Sequence, residues 1–117
     1  MTDIKRIDVG PRMSQAVVHG NTVYTAGQVA LRAPGASVAD QTKDILARID
    51  ELLAEAGSSK DKVLSANIWL SDMSTFAEMN AVWDAWVAPG NTPGRACVES
   101  RLAAPEFTVE IMVIAAI

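Results

Sequence analysis

The run Phe107–Ile117 constrains this chain more than any other segment. Alternation puts Phe107, Val109, Ile111, Val113, Ala115 and Ile117 on one side of a strand and Met112, Ile114 and Ala116 on the other, so both sides are apolar. A strand that is dry on both sides belongs to a sheet covered twice. Helices elsewhere in the chain supply one cover. The other has to come from a second molecule, so the pattern predicts self-association.

The helices are read from spacing. Val38, Thr42, Ile45, Leu46, Ile49, Leu52, Leu53 and Ala56 recur at helical intervals, with Ser37 as N-cap and Gly57 as the stop. A second helix carries Phe76, Met79, Val82, Trp83, Trp86 and Val87 on its stripe, with Thr75 and Glu78 spaced as a capping box and Pro89-Gly90 ending it. Two β-rich runs flank Gly20-Asn21, a dipeptide suited to a hairpin turn, and a short strand near Ile4–Val9 precedes them. Val63–Leu70 alternates with Leu64, Ala66, Ile68 and Leu70 on its buried side. Arg95–Leu102 and Phe107–Ile117 read as two further strands, and the short connection Ala103–Glu106 predicts that they form an antiparallel hairpin.

The order β-β-β-α-β-α-β-β predicts an α+β fold, a two-layer sandwich with two helices on one face of a mixed sheet. At 117 residues, 1–117 is expected to be a single domain.

Charge and composition remove several function classes. Ten Lys+Arg against fourteen Asp+Glu gives a net charge of −4 with no basic cluster, which argues against nucleic acid as a partner. One cysteine, Cys97, and one histidine, His19, leave no zinc-ligand set, so no metal is expected. Residues 1–6 contain no apolar leader segment and no run reaches the ~18 apolar residues of a membrane span. The expected compartment is the cytoplasm, which suits a free thiol.

Three polar residues interrupt the pattern. Glu110 shares the side of Met112, Ile114 and Ala116, which carries a carboxylate either to an enclosed place or to a strand end still in solvent. Asn80 lies between Phe76 and Trp83 on the helix stripe, as a structural amide or as part of a site. Arg95, Cys97, Glu99 and Arg101 share one side of their strand, and Cys97, a residue type usually buried, points to partial enclosure at the Arg95 end. If the hairpin is centred between Ala103 and Ala104, Cys97 falls opposite Glu110 and Arg95 lies one same-face step away. An arginine binds a carboxylate at two points, and a partly buried glutamate orients or deprotonates water. The substrate class is then a small carboxylic acid reacting with water. Cys97 has no base nearby in sequence and is read as site wall rather than nucleophile.

Thr25-Ala26-Gly27-Gln28, Asn80, Arg95-Ala96-Cys97-Val98-Glu99 and Val109-Glu110-Ile111 resemble the Rid, or YjgF-like, family of reactive-intermediate deaminases, essentially end to end. Arg12-Met13-Ser14 and Trp83-Asp84-Ala85-Trp86-Val87 look closest to the short YoaB-like members. The resemblance implies a bacillary chorismate-mutase-like fold and a homotrimer with a site in each cleft between subunits. It implies hydrolysis of 2-imino acids, such as 2-iminopropanoate formed from 2-aminoacrylate, to 2-oxo acids and ammonia, with no cofactor. Arg95 then holds the substrate carboxylate and Glu110 positions the water. Cys97, Asn80, Gly27, Gln28, Met13 and Ser14 line the site. Met13 stands where RidA carries a tyrosine, a departure that bears on substrate choice. It also motivates an alternative, a non-catalytic trimer that senses 2-oxo acids or binds a partner through the same cleft. A nuclease or translation-inhibitor role has been attached to relatives, and the acidic balance argues against it here.

Overall fold

The structure is a computed structural model that describes residues 3–117. Its elements are β1 (Ile4–Val9), β2 (Ser14–His19), β3 (Thr22–Thr25), β4 (Gln28–Val29), α1 (Val38–Ala56), β5 (Val63–Leu70), α2 (Phe76–Trp86), β6 (Gly94–Glu99) and β7 (Val109–Ala116). One mixed sheet runs β1-β2-β3-β7-β5-β6, with β4 pairing β7 beyond the end of β3. The expected α+β layering is present, with β4 as an additional two-residue strand that alternation over so short a run does not reveal.

Local chemistry explains α1. The Ser37 side chain accepts the Asp40 N–H at 3.1 Å, and Gly57, at φ 86°, closes the helix by donating to the last-turn carbonyls. Ile45, Ile49, Leu52 and Leu53 are fully buried against the sheet, each worth about 1.5–3 kcal/mol of transfer energy. Gln41 is equally buried. Its amide donates to the carbonyls of Ala36 and Glu106 and accepts the Thr108 N–H, so one side chain ties α1 to the segments on either side of it.

The α2 cap differs from expectation. Thr75 makes no side-chain cap bond. Asp72 instead accepts the Ser74 N–H at the preceding turn, and Glu78 reaches across to the Ala39 N–H in the first turn of α1. That N-terminus rewards a carboxylate through its free donors and dipole.

The predicted β6–β7 hairpin does not form. β5 lies between the two strands, parallel to β6 and antiparallel to β7. The cause is the intervening helix: β5-α2-β6 is a strand-helix-strand unit, whose crossover returns the chain parallel to its first strand. β6 also ends at Glu99, not Leu102, leaving residues 100–108 as a loop too long for a tight turn. A second correction concerns β5. A register irregularity between Val63 and Ser65 turns Val63 into the core and leaves Leu64 56% exposed.

On β7, Val109, Ile111, Val113 and Ala115 are fully buried under the helices. Glu110, Met112, Ile114 and Ala116 are half-buried on the outer face, near Trp69 of β5 and exposed Tyr24 and Val98. Among the described residues no helix covers that face.

Candidate active site

Strand register decides where the polar residues go. Arg95 pairs with Ala66, and Glu110 with Trp69. Ala66 and Trp69 are three residues apart on β5, so they project to opposite sides, and paired residues share a side. Arg95 and Cys97 therefore lie on the helix side and Glu110 on the outer side. The expected pairing of Cys97 with Glu110 is not formed; the residue in Glu110's row is Val98.

The first group is built on β6 and α2. Arg95 Nη1 donates to Asn80 Oδ1 at 2.8 Å. Its guanidinium carbon lies 5.2 Å from the centre of the Trp83 ring and 5.7 Å from that of Phe76. Phe76, Asn80 and Trp83 are spaced four and three apart, one stripe of α2. Cys97 is half-buried on the same side of β6 and packs against the core. Burial pushes its thiol up, opposed more weakly by the Arg95 charge, so the group is a protonated wall at neutral pH. Glu99 caps the turn before α2 by accepting the Met73 N–H at 2.9 Å. Arg101 lies beyond the strand, beside a surface hollow of about 490 Å³ formed with Ser71, Glu99 and Phe107. His19 sits at the far end of β2, with β3, β7 and β5 between its strand and β6, so it is no base for Cys97.

The second group surrounds Glu110. The backbone of Gly27 passes so close that a β-carbon there would sit 2.1 Å from Glu110 Oε2. Gln28 turns inward: its Nε2 donates to Gln15 Oε1 at 3.0 Å and to the Ala26 carbonyl at 3.1 Å, bracing the turn. Glu110 pairs with Val29 of β4, directly after that turn. Ser14 opens β2 and is half-buried, one residue before Gln15, whose carbonyl accepts the Ala26 N–H. Met13 is 55% exposed at that strand's start.

The chain thus holds two candidate half-sites. One is a guanidinium with a free edge, suited to an anion. The other is a partly enclosed carboxylate against open backbone, suited to a water. Sequence reasoning named Asn80 and placed Trp83 in the core, where it lies at 5% exposure, but also took Phe76 for core, which is 38% exposed; their shared stripe with Asn80 was the available signal for a place beside Arg95.

A sheet with two helices on one face, an arginine held on an edge strand and a glutamate on the opposite face define an α+β protein whose two polar groups do not meet within the chain. Comparison with known proteins makes the class specific. The family model described as Endoribonuclease L-PSP matches residues 4–117. A RutC family protein of Haemophilus influenzae is 44% identical over 112 residues, 96% of this chain and 97% of that protein. The RutC family protein YoaB of Escherichia coli is 42% identical over 114 residues, 97% and 98% of the two chains. The crystal structure of a YjgF family member from Neisseria meningitidis superposes with a TM-score of 0.94 at 52% identity, covering 97% of this chain and 94% of that one. The chain belongs to the Rid/YjgF family, and its fold is that family's mixed sheet with two helices.

Proposed function

We propose that the protein hydrolyses small 2-imino acids and their enamine tautomers to 2-oxo acids and ammonia, as a homotrimer with each site in a cleft between subunits. The observation that carries the reading is the opposition of Arg95 and Glu110 across one sheet, which a single chain cannot bring together and neighbouring copies can. The uncovered, largely apolar outer face supports assembly. Arg95 of one copy takes the substrate carboxylate, and Glu110 of its neighbour takes a proton from water as the oxygen attacks the imine carbon. The C=N bond opens to a carbinolamine with the proton delivered to nitrogen. Collapse expels ammonia and leaves the 2-oxo acid. An imine carbon is already electrophilic, so positioning and the relay of the two water protons to nitrogen, one on addition and one from the hydroxyl on collapse, suffice without metal or cofactor.

The reading includes a cytoplasmic location, in keeping with a free Cys97 and with described helices none of which is long and apolar enough to cross a membrane. It does not include RNA, because the net charge is −4 without a basic stripe. RNA binding that weakens steeply with salt would reverse that exclusion.

The test generates 2-aminoacrylate or 2-aminocrotonate with a dehydratase, traps the imine with semicarbazide, and adds wild type or Arg95→Ala. Loss of trapped product with wild type alone is expected; full activity in Arg95→Ala overturns the assignment. The exposed Met13, where the resemblance puts a tyrosine, favours a second reading, a 2-oxo-acid sensor. Saturable 2-oxobutanoate binding with no acceleration by freshly purified protein would select it.

A further inference from the structure

We propose that Phe76 and Trp83 form an aromatic cradle that, with Asn80, presets the Arg95 guanidinium for a carboxylate; this rests on the reading of Arg95 as the substrate anchor. Arg95 sits on β6, an edge strand with β5 as its one partner, and its side chain is exposed. An exposed arginine on a sheet edge ordinarily samples many rotamers, and a ligand must then freeze them. Here three residues of one α2 stripe reach it at once. Rings that attract the guanidinium through its charge take up none of its hydrogen-bond donors, which distinguishes this support from an ion pair that would consume them. Asn80 takes one hydrogen on Nη1. Among the described residues Nε and Nη2 have no protein acceptor, and these two nitrogens form the side-on fork that grips a carboxylate at two points.

The cradle is itself anchored. Trp83 is 5% exposed, and its ring lies 5.4 Å from that of Trp86, whose indole N–H donates to Asp50 of α1 at 3.0 Å. Phe76, 38% exposed, forms the outer wall. Trp83 and Phe76 are thus positioning residues acting through Arg95.

The experiment measures 2-oxobutanoate binding by calorimetry, with steady-state kcat and KM, on assembled protein. Phe76→Leu should weaken binding about threefold and Trp83→Leu about tenfold, with KM rising and kcat nearly unchanged, while Trp83→Phe, which keeps a ring, recovers most of the loss. In an Arg95→Ala background, Phe76→Leu should have no further effect, a coupling that a merely structural ring would not show. Unchanged affinity in Phe76→Leu, or an equal loss with Arg95 absent, overturns the cradle. These two measurements decide even if Trp83→Leu does not fold. Wild-type affinity in Arg95→Ala itself sinks the anchor reading and the cradle with it, whereas failure of the cradle alone leaves Arg95→Ala impaired.

Discussion

Arg95 and Glu110 occupy strands separated only by β5, yet their side chains leave the sheet on opposite faces. The first prediction follows from that geometry. Arg95→Ala and Glu110→Gln should each be inactive alone, and coexpressed as mixed assemblies they should regain about a quarter of wild-type activity, the share of interfaces that pair an intact arginine with an intact glutamate. Deaminase assay of the mixture checks it; no recovery in verified mixed assemblies would place both groups of a site on one chain.

Gly27→Ala tests the second half-site. The added methyl would meet the end of the Glu110 side chain, which can swing aside, rather than backbone. The melting temperature should stay within about 2 °C, while kcat/KM falls about 100-fold as the carboxylate is displaced. A large loss of stability with little loss of turnover would show that the glycine serves the fold instead.

Cys97 should behave as a poor nucleophile. Burial raises its thiol above the ordinary value, so alkylation by iodoacetamide should be slower at neutral pH than for free cysteine and should climb with pH. The Arg95 charge opposes the rise, and Arg95→Ala should slow the reaction further. Because the folded-state value is raised, any stability linked to this group is complete below the unfolded thiol's range and is lost as pH climbs through the folded value. Cys97→Ser should retain deaminase activity; complete inactivation of a folded, assembled variant would assign the sulfur a chemical role.

Gln41→Leu should cost about 2–3 kcal/mol in denaturant unfolding, because the Thr108 N–H loses its acceptor and the Ala36 and Glu106 carbonyls lose a donor in a part-buried place. A change below half a kilocalorie would mean that water replaces the amide without penalty.

Where structure follows from nearby residues, the sequence was readable. Ser37 and Gly57 bound α1 as their chemistry requires, Ile4–Val9 is a strand, and Gly20-Asn21 turns a hairpin. In Phe107–Ile117 alternation marked Val109, Ile111, Val113 and Ala115, which are fully buried, while Met112, Ile114 and Ala116 are half-buried on the other side. The neighbour of β7 was not legible in the same way. A four-residue connection suggested a hairpin, but the β5-α2-β6 crossover claims the intervening position, and the consequence is that Glu110 and Cys97 lie on opposite faces. The bulge at Leu64 was equally hidden, since alternation assigns sides correctly only until one residue is inserted. Family resemblance supplied residue names for the candidate site; the distribution of those residues onto two faces of the sheet is a property of register.

Among the described residues β5 is the one strand that pairs with β6, and the arginine rides on that rim. Opening a rim strand costs less than dissolving the core, so the proposed anchor can be lost from a molecule whose α1 and β7 remain packed. Intact circular dichroism would then coexist with silent sites, and the fraction of competent protein in a preparation must be counted by ligand titration rather than by melting.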